Sequence, residues 1–315
     1  YAEGITEVNP LMASAIKKQL YTPEGELVYS SPDPMMAALF MPEARVKMTA
    51  RMRTSEHPHA LESAGVPQPL VETAALPANT EAALAFVLTA KAKEILTESL
   101  SANVPAQTAD DPQVAQALAM TQTVLSVLGE EIVLAFHDLG GEAAASLRVQ
   151  IANRDMLDFL LLMAAGATEP TETYKGVGIV QPPEGSPQAE MGFAYAYLGD
   201  TLVLSHSLDV VKAHIDAQET GSNWLDSLQP AAQSDRPVWS FLTIEGAYLR
   251  DAVLPTIEKN TPMPIPPDKR EPFVRIINAI DYVRMYSGIE GPYAQGEIEL
   301  ALTPAEEETT PAASP

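Results

Sequence analysis

Between Leu76 and Leu302 the chain runs twice through one order of elements, a strand, two helices and a hairpin, and this repetition constrains the fold more than any other feature. In the first pass Leu84 to Thr89 reads as a buried strand, Lys91 to Leu100 and Pro112 to Leu128 as helices, and Ile132 to His137 with Ser146 to Ile151 as a hairpin turning at Gly140-Gly141. In the second, Val238 to Ile244 is a strand, Ala247 to Glu258 and Pro272 to Ile280 are helices, and Tyr282 to Tyr286 with Glu297 to Leu302 form a hairpin turning over Gly288 to Pro292. Val87-Leu88-Thr89 matches Phe241-Leu242-Thr243 at an offset of 154, and Ile132 to Phe136 matches Tyr282 to Tyr286 at an offset of 150. The pattern predicts an α+β fold of two like-patterned halves of antiparallel sheet with packed helices, stacked as two similar layers.

The repeat units span about 83–151 and 237–302, and an α/β connector, 152–236, joins them. In the connector Asp155 to Ala165 reads as an apolar helix and Tyr174 to Val180 as one strand. Gly192 to Leu198 and Thr201 to Ser205 form a hairpin through Gly199-Asp200, and Leu208 to Ala217 is a helix capped by Ser207. Residues 1–75, broken by prolines from Pro10 to Pro69, read as an extended arm outside the core, with a short helix at Leu11 to Leu20. Residues 303–315, rich in Thr, Pro, Ala and Glu, form a tail of disordered composition.

One stretch of the arm is regular. In Arg45-Val46-Lys47-Met48-Thr49-Ala50-Arg51-Met52-Arg53 the odd positions are basic or polar and the even ones apolar, the signature of a strand with one basic face. The whole chain carries 42 acidic and 19 basic residues, a formal charge of −23, so Arg45, Lys47, Arg51 and Arg53 reverse the local field. They suit an acidic protein partner, anionic lipid headgroups or the chain's own acidic core.

The same charge argues against nucleic acid as a partner. With no cysteine, disulfides, thiolate metal sites and thiol nucleophiles are excluded. No apolar run approaches the roughly 20 residues of a membrane-spanning helix. A metal site would have to start from Glu56-His57-Pro58-His59, which lacks a second ligand pair at standard spacing. Gly140-Gly141 and Gly176-Val177-Gly178 lack the lysine and spacing of a phosphate cradle, so no cofactor is expected. Ser205, His206 and His214, with Asp209 and Asp216 nearby, hold the residue types of a hydrolase, but no nucleophile elbow surrounds either Ser205 or Ser207. Trp224, Trp239, Tyr195, Tyr197, Tyr282 and Tyr286 fall on or beside predicted strands and read as core, or as the lining of a groove for an apolar ligand.

Four segments then carry a family resemblance: Leu-Gly-Glu-Glu-Ile-Val-Leu-Ala (128–135), Tyr-Lys-Gly-Val-Gly-Ile (174–179), Leu-Gly-Asp-Thr-Leu-Val-Leu-Ser (198–205) and Val-Val-Lys-Ala-His-Ile-Asp (210–216). Together they resemble the bacterial family called domain of unknown function 3352. The resemblance implies an extracytoplasmic setting, periplasm or cell surface, and no known catalytic residues; a first residue other than methionine fits a signal peptide already removed. The expectation is therefore a non-enzymatic accessory or scaffold subunit that docks through its arms on other protein subunits of a larger, membrane-bound assembly. A periplasmic binding protein for an apolar small molecule is the alternative, and an unrecognised hydrolase the third.

Overall fold

The computed structural model describes residues 36–40, 45–53, 65–102, 112–140, 143–183, 192–221, 223–228, 236–256 and 267–303, with a few isolated positions between them. Two compact units are distinguished, Tyr1–Met36 and Ala37–Pro315, and the architecture below is that of the second. The expected helix at Leu11 to Leu20, the His57/His59 cluster and residues 304–315 lie outside the described residues.

One antiparallel sheet of twelve strands organises the unit, in the order β1-β2-β12-β11-β10-β3-β4-β5-β9-β8-β7-β6. The strands are β1 (Met36–Phe40), β2 (Arg45–Arg53), β3 (Thr80–Val87), β4 (Leu128–Asp138), β5 (Ala143–Ile151), β6 (Glu172–Tyr174), β7 (Val177–Val180), β8 (Ala194–Leu198), β9 (Thr201–Ser205), β10 (Val238–Glu245), β11 (Ile280–Glu290) and β12 (Tyr293–Leu302). The helices are α1 (Val71–Ala74), α2 (Ala90–Ala102), α3 (Pro112–Val127), α4 (Arg154–Ala165), α5 (Leu208–Thr220), α6 (Trp224–Ser227), α7 (Gly246–Tyr248), which continues as a π-helical turn over Leu249–Val253, and α8 (Pro267–Ala279).

The α+β class and the two like halves are both present. Their arrangement differs from the stacked layers expected: β3 and β10 pair antiparallel, with Leu84 opposite Leu242, and join the halves edge to edge. From that seam β3-β4-β5 runs one way and β10-β11-β12 the other, so the two halves extend in opposite directions from a shared antiparallel pair. Joining them this way pairs two strand edges that stacking would leave open. The residue-level match does not survive. Ile132 lies opposite Phe86 and points away from the face that holds Val133, whereas Tyr282 lies opposite Glu245 on the face that holds Phe241 and Tyr286.

Three further expectations change. The arm does not extend to residue 75: β2 pairs along its length with β12, from Arg45 opposite Ala301 to Arg53 opposite Tyr293, while Leu70 and Leu76 sit in the main core. Tyr174 to Val180 is a hairpin, since Lys175 and Gly176 both have positive φ and split it into β6 and β7. The last hairpin is longer than expected, turning tightly at Gly291, whose φ is +59°, and Pro292.

The main core places Trp224, Leu225, Leu228, Leu70 and Leu76 against Ala83, Ala85, Val133, Ala135 and Phe241. Alanine is a poor strand former, yet here it leaves room for an indole whose Nε1 donates to the Thr80 carbonyl at 3.1 Å. A second cluster lies under α5, with Val211 and Ile215 against Ile179, Ala196 and Val203. The third sets Val127 and the inner side of α4, Leu157, Leu160 and Leu161, against Tyr195 and Leu202.

Two glycines mark opposite limits of tolerance. A Cβ on Gly246 would stand 2.0 Å from the Ile280 carbonyl oxygen, a backbone atom that cannot swing aside, whereas one on Gly296 would meet nothing within 4 Å. Gly246→Ala is expected to lower the unfolding free energy by about 3 kcal/mol. Gly296→Ala should leave it unchanged or raise it by up to about 1 kcal/mol, because alanine restricts the unfolded chain. Urea midpoints for the two variants check both.

Candidate functional site

An antiparallel sheet with one solvated face normally turns its polar residues outward. Here the alternation is reversed. Along β4 the buried side chains are Glu131, Val133, Ala135 and His137, while Ile132, Leu134 and Phe136 are left half-buried or exposed. β11 buries Tyr282 and Arg284 and exposes Met285, and β12 buries Gln295 and Glu297 while Ile298 and Leu300 remain half-buried. The polar face is the covered one.

Burial of that face is possible because nearly every group on it is matched. The Glu131 carboxylate accepts from the Glu72 backbone N–H at 2.8 Å and the Thr73 N–H at 2.9 Å, capping α1, and from the Thr73 hydroxyl at 2.7 Å. Burial pushes the Glu131 carboxyl up, and these donors, Thr73 Oγ1 foremost, pull it back. Glu72 accepts from Arg148 Nε at 2.7 Å and from the Thr201 hydroxyl at 2.8 Å. Its carboxylate thus bridges α1, β5 and β9, leaving Arg148 Nη1 buried without a partner among the described residues.

Beside this pair lies a chain of neutral groups. Thr80 Oγ1 stands 3.2 Å from His137 Nδ1, and Ser146 Oγ stands 2.7 Å from His137 Nε2 and 3.0 Å from His214 Nε2. A serine hydroxyl has one proton, so it donates to one imidazole and accepts from the other. Both rings are fully buried and meet edge to face, with centroids 5.3 Å apart. Burial pushes His137 down to about 4 and His214 well below its ordinary value, and the neighbouring His137 and Arg148 push His214 further down. A hydroxyl between two imidazoles has the parts of an activated nucleophile, but with Ser146 buried as well, no substrate atom reaches it in this conformation.

The serine–histidine grouping considered from sequence is not assembled. His214 on α5 turns to Ser146, Ser205 donates to the Ala145 carbonyl at 2.7 Å, and His206 is exposed. Asp216 is 2.8 Å from Lys175 Nζ. Ser207 holds the N-cap position of α5 but its side chain makes no capping bond. Ser146 escaped sequence reading because its role depends on a histidine 68 residues away. Of the aromatics, Trp224, Tyr195 and Tyr282 are core, and Trp239, Tyr197 and Tyr286 are half-buried.

The basic strand faces its own neighbour. Lys47 Nζ lies 2.8 Å from Glu297 Oε1, Arg51 Nη2 2.8 Å from Glu290 Oε2, and Arg51 Nε donates to Gln295 Oε1 at 2.8 Å. For these two residues the contact with the chain's own acidic core is the one formed. Arg45 and Arg53 lie at the two ends of the same strand.

Sequence reading also missed what the reversal leaves outside. Across the sheet the apolar residues stand in register, Met48-Ile298-Met285-Leu242-Leu84-Leu134-Leu147-Leu204-Tyr195, one from each successive strand from β2 to β8. At the Tyr195 end they are covered by α4, while Met48, Met285 and Leu134 are 45%, 38% and 37% exposed. α4 is itself apolar on both sides: beyond the buried Leu157 it turns Met156, Phe159, Leu162 and Met163 outward, with Phe159 57% and Met163 70% exposed. An open groove beside α8, between Val274 and Asn278 on one side and Leu254 and Pro255 on the other, contains no metal-binding combination. Among the described residues no helix is long and apolar enough to cross a membrane, and no group of three potential metal ligands occurs.

The buried imidazoles set a pH dependence. The unfolded chain takes up a proton on each histidine near pH 6.5, while folded His137 does not until about pH 4, so acid favours unfolding throughout that interval. Stability is expected to fall by roughly 3 kcal/mol from His137 alone as pH drops from 6.5 to 4. His137→Gln should flatten that part of the profile, measured by urea unfolding at a series of pH values.

No family model matches the chain, and no curated protein matches it. Solved structures similar to it are crystal forms of a protein named TP0453. Crystal form III is 10% identical over 75% of this chain and 82% of that one, with a TM-score of 0.41. Crystal form IV is 10% identical over 73% and 78%, with a TM-score of 0.36, and crystal form I is 7% identical over the same shares, with a TM-score of 0.35. A likeness of this degree says nothing of activity.

Proposed function

We propose that this chain is a non-enzymatic, extracytoplasmic accessory protein that docks on a larger protein assembly through the outer face of α4. The observation that carries the reading is that α4 is apolar on the side facing solvent as well as on the side facing the sheet. Exposed apolar side chains gathered on one helix, here Met156, Phe159, Leu162 and Met163, mark an interaction surface, and covering side chains such as Phe159 and Met163 is worth about 2 kcal/mol each. The occupant is a protein surface with an apolar centre and a basic rim. Aromatic, leucine and methionine side chains supply the centre of such interfaces, and a chain of charge −23 favours cationic residues around it. The assignment to an extracytoplasmic compartment rests on the family resemblance.

In this reading Lys47 and Arg51 serve the chain's own sheet, and the contact surface moves from the basic strand to α4. Phe159→Glu and Met163→Lys change exposed side chains, so each variant is expected to keep the wild-type melting temperature to within a few degrees. Each should shift the native protein, in size-exclusion chromatography of a gentle membrane extract, from a high-mass fraction to the monomer position. Elution of the wild type as a 33.8 kDa monomer from such an extract would overturn the reading.

A further inference from the structure

The reversed sheet leaves a trough on its apolar face. On the row next to Met48-Ile298-Met285-Leu242 the residues in register are Ala50, Gly296, Ser287 and Ser240, all small. Gly296 has open space where a side chain would stand, and the Ser240 and Ser287 hydroxyls bond each other at 2.6 Å. On the far side Ile289 and Ala294 face each other in register. The next strand closes the row with Phe86, which lies opposite Ser240 and is 44% exposed. From β2 to β3 the trough crosses five strands, about 19 Å at the spacing of sheet neighbours.

We propose that this trough is a binding site for the hydrocarbon chain of an uncharged amphiphile. Its length exceeds the roughly 15 Å that the acyl chains of one bilayer leaflet fill, and it is bounded by Met48, Ile298, Met285 and Leu242 along one side and by Ile289 on the other. The wall contributed by Met48 and Met285 can adapt to a flexible chain, as unbranched thioethers do. Among the described residues no charged side chain lies on this face between Ala50 and Phe86, and the two hydroxyls in it already satisfy each other. An extended peptide laid there would bring backbone N–H and C=O groups that find no partner; a hydrocarbon chain brings none. The charge of −23 disfavours an anionic headgroup at the mouth. The site is separate from α4 and does not depend on the docking reading.

The probes are monopalmitin, its analogue with a diazirine at the chain terminus, and palmitate at pH 8, each added to the full-length protein. Saturable binding of monopalmitin is expected, with photolabel on the strand peptides that contain Met48, Met285 and Gly296. Gly296→Phe, which fills the trough, and Met285→Lys, which charges its wall, should each weaken binding on the order of a hundred-fold. Met163→Lys on α4 should leave it unchanged, and palmitate should bind at least about ten-fold more weakly than monopalmitin. Circular dichroism and thermal melts establish that the variants fold. Non-saturable uptake, label confined to α4, or wild-type affinity in folded Gly296→Phe and Met285→Lys proteins would overturn the site. Palmitate binding as tight as monopalmitin would overturn the assignment of an uncharged head.

Discussion

The arrangement of the sheet turns on the Glu72 carboxylate. One of its oxygens takes Arg148 Nε and the other the Thr201 hydroxyl, so a residue of the short helix α1 is tied at once to β5 and β9. Glu131 reaches back from β4 to cap the same helix. A carboxylate and a guanidinium in such a place each carry a desolvation cost of several kcal/mol, which only close geometry and further hydrogen bonds offset. Once they are buried, period two settles the rest: residues that alternate with Glu131, Arg148 and His137 must face the other way. The apolar rows reach the open face because the polar rows are fixed on the closed one.

How much of this could be read beforehand follows from the range of each interaction. The hairpins at Gly140 and Gly199 were legible, since both glycines hold the positive φ that tight turns require. The duplicated order was legible at the level of elements, yet nothing local distinguishes two halves joined edge to edge from two stacked layers; that depends on β3 finding β10, some 158 residues away. β2 was recognisable as a strand but not as part of the core, because its partner β12 begins at Tyr293. Which face of β4 is covered was not legible, for a physical reason. Ile132, Leu134 and Phe136 are larger and more apolar than Val133 and Ala135, and burial of apolar area is the usual guide. Here the indole of Trp224 needs small neighbours, and the charged groups need one another, so the smaller and more polar set is covered.

The same logic places the buried histidines within the polar layer. His137 and His214 share one serine and are held neutral by burial, which makes Ser146 a bridge between β4, β5 and α5 rather than a nucleophile in reach of a substrate. Two buried atoms, Arg148 Nη1 and His214 Nδ1, lack partners among the described residues. They mark where the polar layer is least compensated, and there a protonated imidazole would stand beside an existing positive charge.

What remains is a division of labour between the faces. Ordering a flexible surface on binding costs affinity, and a rigid one avoids that cost. The polar layer supplies the rigidity: hydrogen bonds are directional, and each on the covered face fixes a strand whose next residue projects from the open one. Arg284, stacked on Tyr282 with its guanidinium carbon 4.2 Å from the ring centroid, holds the backbone from which Met285 projects. Gln295, held by Arg51 and itself donating to Glu297, does the same for Gly296 between them. The open row can therefore consist of methionines and small residues, which specify little by themselves, because the chain beneath them is set by the charges on the other side.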